Sequence, residues 1–315
     1  MKFGPFEGVV QRDYLRLYDI FFPKKHLTIR AFHPIIYIIS VVLSADSKEQ
    51  RRQDEKANRK RPYDGCFHAC VSAVCGNVAA YYGEGVRQQQ AFRALERITE
   101  QANDRGGENS KTAAVQTEQS AKEKAAQEYN ALKEKNLDFW GRIKVDDTAL
   151  SYPVMHTPEE PEYYLRRDFE GAYSLRGVPF LDARCYDGCG NYIIYGHYMK
   201  DGTMFGSLQA YAKPAYCEAH PTITLNTATG CADYTVMAAF YSQVYSQEDS
   251  RVFRYYQYAD LSNEADFAAY VKQVQKAALY DTGVNAQYGE QLLTLSTCSY
   301  HTDEGRFVVV AKKQE

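Results

Sequence analysis

From Leu137 onward the chain is a series of short β-rich segments separated by turn residues, and this pattern limits the fold more than any other feature. One long helix interrupts the series, with Ser262 or Asn263 as its N-cap and a stop near Gly283. Eight short strands with few helices in about 180 residues are typical of a β-barrel or a β-sandwich. The predicted strands cover residues 140–145, 150–155, 179–182, 191–197, 222–227, 234–241, 291–298 and 306–311, and the helix covers 263–280, with a shorter helical turn at 204–211.

Composition and charge exclude two classes of protein. The 315 residues contain 37 Lys and Arg against 40 Asp and Glu, a net charge of −3, whereas a nucleic-acid-binding domain usually carries a strong basic surplus. The mean hydropathy of −0.51 excludes a chain that crosses a membrane many times. We therefore predict a globular protein that binds no nucleic acid.

One segment ahead of the β-rich half has the composition of a single membrane anchor. Residues 66–83 carry no formal charge if His68 is neutral, and the preceding residues 51–61 are mostly basic. This order is typical of an anchor whose N-terminal side stays in the cytoplasm, because positive residues are retained there. We expect residues 1–65 to be a cytoplasmic extension and 66–83 to be the anchor; a buried helix is the alternative for 66–83.

Residues 84–136 are predicted to be a helical stalk with a linker. Residues 87–102 place Phe92, Leu95 and Ile98 at helical spacing, and residues 121–136 are rich in Ala, Glu, Lys and Leu. The polar, Gly-containing residues 103–120 between them indicate a linker. The stalk would hold residues 137–315, the predicted catalytic domain, away from the membrane.

Of the eight cysteines, Cys298 is the one placed for chemistry. It ends the strand-like run 291–298 and precedes a polar loop, so its thiol can be exposed while its backbone is held rigidly. If the domain is extracellular, the sequence does not decide whether disulfides form between Cys185 and Cys189 or between Cys217 and Cys231. Because no second ligand pair completes a zinc site with Cys185 and Cys189, no metal site is predicted.

Two further side chains supply what a thiol nucleophile needs. His197 closes the strand 191–197, and Arg306 begins the last strand, where a hairpin can bring its guanidinium beside the thiol of Cys298. A thiol, a proton donor and acceptor, and a fixed positive charge are the groups required for acyl transfer through a thioester. His301, which follows Cys298 in the loop, is a rival base.

The residues around these side chains resemble the sortase family. Residues 294–298 (TLSTC) with the later run 305–312 (GRFVVVAK) look like the TLxTC…R signature of sortases, and residues 191–197 (NYIIYGH) resemble the stretch with their catalytic histidine. The helix at 263–280, before the cysteine strand, is similar to the extra helix of class B sortases. The resemblance covers roughly residues 137–313, and further similar runs are 140–145, 152–154, 163–165, 180–182 and 202–206.

The resemblance implies a mainly β protein with an eight-stranded sortase-type barrel, a helix before the cysteine strand, and N-terminal helices ahead of it. It implies a cysteine transpeptidase in which Cys298 attacks the threonine carbonyl of an LPxTG-type sorting signal, His197 transfers protons and Arg306 stabilises the oxyanion. Ser296 and Thr297 would line the pocket beside the signal. No cofactor is implied.

The implied partners are secreted proteins with C-terminal sorting signals and an amine acceptor, from a peptidoglycan precursor or a pilin. With the predicted anchor, the enzyme would be a single-pass protein of the cell membrane with its catalytic domain outside. The alternatives are a cysteine peptidase that performs no transfer and a non-catalytic, surface-binding β-domain.

The chain departs from the class B pattern at three places near the predicted site. Tyr198 follows His197 where class B enzymes often have Asn, and Tyr300 lies where some relatives carry an acidic residue. An Asp-Asn pair often found after the second strand is replaced near Glu160 and Pro161. No third catalytic carboxylate is therefore predicted, and the sequence of the sorting signal stays open.

Overall fold

Eight strands form the body of the protein, with bounds β1 Phe139–Lys144, β2 Ser151–Met155, β3 Phe180–Leu181, β4 Asn191–Gly196, β5 Thr222–Thr227, β6 Gly230–Gln243, β7 Leu292–Cys298 and β8 Gly305–Lys313. In the computed structural model they close into a barrel in the order β1-β2-β3-β4-β7-β8-β6-β5. The pairs β2–β3 and β4–β7 are parallel, and the other pairs are antiparallel. All eight predicted strands are present, so the predicted barrel is confirmed.

The structure describes residues 83–99, 115–246, 248–249 and 251–314. All of them belong to one of the two compact units of the chain, Val78–Glu315. The predicted extension at 1–65 and the predicted anchor, apart from its last residue, lie outside the described residues. In the described part of the chain, no helix is both long enough and apolar enough to cross a lipid bilayer.

Four α-helices accompany the barrel in the described part: α1 at 83–99, α2 Val115–Lys133, α3 Pro214–Ala219 and α4 Glu264–Ala277, with 3-10 helices at Tyr163–Arg166, Phe205–Ala212 and Tyr255–Gln257. Asn263 caps α4, because its side chain accepts the N–H groups of Ala265 and Asp266. The helix ends before the predicted residue 280, because Ala278 is extended and the N–H of Leu279 donates to Ala239 of β6.

The N-terminal helices contact the barrel. Glu96 of α1 accepts hydrogen bonds from Arg142 at 3.0 Å and from Ser151 at 2.8 Å, and the ring of Phe92 packs edge-on against Tyr152. Helix α2 begins at Val115, within the segment 103–120 that was predicted to be a linker. The backbone carbonyl of its Ala125 accepts a hydrogen bond from the side chain of Asn226 on β5.

Two apolar cores lie on opposite faces of the sheet formed by β6, β7 and β8. Leu293 and Leu295 of β7 belong to the core inside the barrel, whereas Leu292 belongs to a second core outside it, under α4. β7 is therefore buried on both faces, which explains why its sequence is apolar or small throughout rather than alternating.

A buried chain of hydrogen bonds joins α4 to β7 and β4. The hydroxyl of Tyr270 lies 2.6 Å from that of Thr294, which donates to the side-chain oxygen of Asn191 at 2.8 Å. The amide nitrogen of Asn191 donates to the carbonyl oxygen of Tyr258 at 2.8 Å. Every polar group named here is paired, as burial requires.

We predict that Asn191→Ala lowers the free energy of unfolding by about 1–3 kcal/mol, because it removes the acceptor of the buried Thr294 hydroxyl, which then keeps only Tyr270, and leaves the half-buried Tyr258 carbonyl without its donor. Chemical denaturation followed by circular dichroism measures the change. The matched control is Asn285→Ala, at an exposed position, with an expected change below about 0.5 kcal/mol. Equal effects of the two substitutions would contradict the assigned role of the buried chain.

Candidate active site

Strand pairing brings the three predicted catalytic side chains together. In the parallel pair β4–β7, Gly196 lies opposite Thr297, so the next residue of each strand places His197 beside Cys298. In the antiparallel pair β7–β8, Cys298 lies opposite Arg306. Cys298 therefore lies between the histidine and the arginine, at the ends of three adjacent strands.

The three side chains also share one face of the sheet. Side chains alternate between the two faces along a strand, and Leu295 and Phe307 belong to the core inside the barrel. Gly196 faces the same interior, where an added Cβ would lie 2.6 Å from the ring of Phe205. By alternation, His197, Cys298 and Arg306 project from the outer face.

A groove with a volume of about 580 Å³ opens on that face. All five predicted site residues line it, together with apolar and aromatic side chains from four other parts of the chain. Its lining comprises Pro161, Glu162, Leu165, Phe180, Asp182, Ala183, Arg184, Tyr195, Gly196, His197, Val244, Tyr255, Tyr256, Ser296, Thr297, Cys298 and Arg306.

His197 is held by a single hydrogen bond through its ring. Its Nε2 lies 2.8 Å from the carbonyl oxygen of Leu165. Because a carbonyl oxygen can only accept, Nε2 carries the hydrogen, which leaves Nδ1 to exchange a proton with substrate. Burial lowers the pKa of His197; the hydrogen bond to Leu165 opposes this, and the charge of Arg166 lowers it further.

Arg306 is folded back onto the loop before β8. Its Nη1 donates to the carbonyl oxygens of Gly305 at 3.0 Å and Glu304 at 3.2 Å, and its Nη2 lies 3.6 Å from the Glu304 carboxylate. The Glu304 side chain is 71% exposed, so this ion pair is weak and easily exchanged for another partner.

The two predicted pocket residues before Cys298 face opposite ways. The hydroxyl of Ser296 lies 2.7 Å from the hydroxyl of Tyr255, whose segment covers the outer face of β7. The hydroxyl of Thr297 is buried, and none of the described residues gives it a hydrogen-bond partner. Both side chains are nearly inaccessible to solvent, so they support the floor of the groove rather than its rim.

Sequence reasoning missed a charged network in the wall of the groove. Arg184 binds Asp182 through two parallel hydrogen bonds of 2.9 and 2.7 Å, and the Tyr195 hydroxyl donates to the same carboxylate at 2.9 Å. Burial raises the pKa of Asp182, but these hydrogen bonds outweigh burial and hold the pKa below its ordinary value. The signal that could have found the pair is an Asp at the end of a predicted strand, 179–182, and an Arg two residues later.

Sequence reasoning also missed Tyr255 and Tyr256, because no pattern places a loop between β6 and α4 over the end of β7.

The rival base His301 is not part of the groove lining. Its Nδ1 lies 3.0 Å from the Ser299 hydroxyl, and its ring packs against Tyr241. The geometry therefore favours His197 over His301 as the base.

The remaining described cysteines lie apart from the groove lining. Cys185, Cys189 and Cys217 are buried and Cys231 is exposed, and all are free thiols, so neither of the two disulfides left open by the sequence is formed in this structure. The sulfur atoms of Cys185 and Cys189 each lie 3.4 Å from the carbonyl oxygen of Asn191.

A closed β-barrel with a thiol, an imidazole and a guanidinium at the ends of adjacent strands defines a cysteine enzyme equipped for acyl transfer. The chain belongs to the sortase family, whose domain model matches residues 143–314. Its relatives place it with the class B sortases, which are cysteine transpeptidases.

Two curated relatives and one solved structure are similar to the chain. Sortase B of Listeria monocytogenes is 29% identical over 189 residues, which cover 59% of this chain and 73% of that protein. Sortase B of Staphylococcus aureus is 30% identical over 189 residues, which cover 59% and 74%. The solved Staphylococcus aureus sortase B–substrate complex has a similar fold, with a TM-score of 0.59 and 24% identity over 74% of this chain and 98% of that one.

Stability is predicted to fall below pH 6.5 because of two half-buried histidines, His156 and His197. Burial lowers the pKa of His197 and of His156, so in that range the unfolded chain binds more protons than the folded chain. The free energy of unfolding, measured by chemical denaturation, should therefore be lower at pH 5.5 than at pH 7.5. Carboxylates contribute little in this window because they titrate near pH 4 when unfolded.

The substitution His197→Gln should flatten this pH dependence, whereas the same change at the exposed His301 should leave it as in the wild type. An unchanged pH dependence in the His197 variant would show that burial of this imidazole does not couple its protonation to folding.

Proposed function

We propose that the protein is a membrane-anchored transpeptidase that cleaves LPxTG-type sorting signals through a thioester on Cys298. The acyl group then passes to an amine of a cell-wall precursor or of a pilin. The observation that carries the proposal is the pair of strand registers that place His197 and Arg306 on either side of Cys298. The sortase family of the chain supports it.

The shape of the groove supports a peptide substrate. An extended peptide needs apolar contacts for its side chains and hydrogen-bonding groups for its backbone. Leu165, Phe180 and Val244 offer the apolar contacts, while Tyr256 and Arg184 contribute polar groups at the wall.

In the first step the thiol of Cys298 gives its proton to Nδ1 of His197, and the sulfur attacks the threonine carbonyl of the signal. The developing oxyanion is stabilised by the guanidinium of Arg306, which exchanges its exposed partner Glu304 for the substrate. As the intermediate collapses, His197 protonates the departing amine, and the thioester remains on Cys298.

In the second step the acceptor amine attacks the thioester carbonyl and loses its proton to His197. Because burial lowers the pKa of His197, the neutral imidazole predominates at neutral pH and can accept that proton.

The location of the enzyme is part of the same proposal. Residues 66–83 would anchor it in the cell membrane with residues 1–65 on the cytoplasmic side, and residues 84–136 would hold the catalytic domain outside. Sorting signals on secreted proteins and their amine acceptors are found on that outer side.

Incubation of the full-length chain with a library of sorting-signal peptides and an amine acceptor tests the activity. We expect a thioester adduct on Cys298 by mass spectrometry and a transfer product. Cys298→Ala should fold but form neither, while the control Cys231→Ala, at an exposed cysteine, should form both. A folded wild-type chain that yields no adduct and no product with any signal peptide would falsify the proposal.

Substitution of Arg306 tests the oxyanion role. Arg306→Ala should fold but lower kcat/KM about 10²–10³-fold, the usual cost of losing one oxyanion donor, and Arg306→Lys should recover only part of it. Arg97→Ala, at an exposed position of α1, is the control and should keep wild-type turnover. Wild-type turnover in Arg306→Ala would exclude this role.

A further inference from the structure

Two tyrosines from the catalytic loops meet just outside the groove. Tyr198 follows His197 directly, and Tyr300 is the second residue after Cys298. Their ring centroids lie 5.5 Å apart with planes at 77°, an edge-to-face contact between the loop after β4 and the loop after β7. Tyr300 is 72% exposed, so most of its ring surface is open to a ligand.

The loop that carries Tyr198 is held by its backbone. The carbonyl oxygen of His197 accepts the N–H of Phe205 at 3.0 Å, and Tyr198 forms an isolated β-bridge with Met204. The N–H of Met204 in turn donates to the hydroxyl of the buried Tyr152. Tyr198 is therefore fixed relative to the barrel wall.

The loop that carries Tyr300 is closed by two hydrogen bonds of its own backbone. The N–H of Ser299 donates to the carbonyl oxygen of Gly305 at 2.9 Å, and the N–H of Gly305 donates to Thr302 at 3.1 Å. Any Cβ at position 305 would lie 2.3 Å from the Ser299 carbonyl oxygen, so the closure requires glycine. The ring pair is thus held from both sides.

Lys200 adds a positive charge to this pair. Its ammonium lies 5.6 Å from the centroid of the Tyr300 ring, within the range of a cation–π contact. Lys200 is exposed, and none of the ion pairs in the described part of the chain includes it. Its neighbour Asp201 is instead bound by Arg176 at 2.7 Å. The ammonium is therefore available to an anionic ligand group.

The position of these side chains matches the side from which the second substrate must come. The described lining of the groove includes His197 and Cys298 but neither tyrosine nor Lys200. A signal peptide bound in the groove would cover that side of the thioester. The amine then reaches the carbonyl from the side left open, next to the ring pair.

We propose that Tyr198, Tyr300 and Lys200 form the binding site for the acyl acceptor, a peptide amine that carries a carboxylate. This inference rests on the proposed transpeptidase function. The carbon chain of the acceptor lies against the tyrosine rings, and its carboxylate pairs with Lys200. The amine nitrogen bonds to the acyl carbon, its proton passes to His197, the C–S bond breaks, and the Cys298 sulfur leaves and regains a proton.

The test measures how the thioester divides between transfer and hydrolysis. Full-length protein is incubated with the signal peptide that it cleaves best, together with triglycine or triglycine amide, and both products are quantified by mass spectrometry. The wild type should favour triglycine over its amide about threefold, the size expected for one exposed charge pair. Lys200→Met should abolish that preference.

Loss of either tyrosine ring should weaken the binding of both triglycine and triglycine amide. Tyr300→Ala and Tyr198→Ala should each lower the ratio of transfer to hydrolysis about tenfold, through a higher KM for the acceptor. Tyr300→Phe, which retains the ring, should keep the wild-type ratio. The matched controls are Tyr173→Ala, at a tyrosine that is also 72% exposed, and Lys272→Met, at an exposed lysine of α4.

The outcomes separate this site from the proposed function. If the alanine variants cleave the signal more slowly but keep the wild-type ratio, the tyrosines only support the catalytic loops and the acceptor site is wrong. If Lys200→Met retains the preference for triglycine, the carboxylate contact is wrong. If the wild type cleaves no signal peptide, the transpeptidase proposal fails, and the acceptor site fails with it.

Discussion

The parallel pairing of β4 with β7 is the constraint on which the rest of the site depends. A parallel pair needs a long connection between its strands, and here that connection includes β5, β6 and α4. Residues far apart in sequence, His197 and Cys298, consequently end adjacent strands at the same level. The antiparallel hairpin β7–β8 then adds Arg306 with a short loop. Two types of strand pairing thus build one site around the middle strand.

The outer face of β7 has two roles along its length. At its start, Leu292 and Thr294 are covered by α4 and its core, whereas at its end Ser296 meets Tyr255 and Cys298 opens into the groove. The polar residues of this strand are all small, so they fit beneath the covering segments. The hydroxyls of Thr294 and Ser296 bind Tyr270 and Tyr255 of those segments, which fastens the wall of the groove to the strand that carries Cys298.

The sequence predicted the parts of the protein that depend on local pattern. All eight strands and the cap at Asn263 follow from β-rich runs bounded by turn residues and from the preference of Asn for helix N-termini. The grouping of His197, Cys298 and Arg306 followed from the ends of predicted strands together with the sortase motifs. The Asp182–Arg184 network and the cover by Tyr255 did not follow, because they depend on how loops fold over the sheet, for which no sequence periodicity exists.

Helix α1, part of the predicted stalk, is coupled to His197 through Gly177 and Leu165. The side chain of Gln88 donates to the carbonyl oxygen of Gly177 at 2.7 Å. Gly177 has a φ of 58°, and a Cβ there would lie 2.5 Å from the carbonyl oxygen of Leu165, so this glycine lets the two backbones approach closely.

The same Leu165 oxygen accepts the hydrogen bond from His197 and sets its tautomer. A shift of α1 on the barrel would therefore move the acceptor that orients the imidazole, although α1 contributes no residue to the described lining of the groove. Part of the predicted stalk thus also helps to hold the His197 imidazole in place, which is a physical reason for the helix to pack against the barrel rather than extend from it.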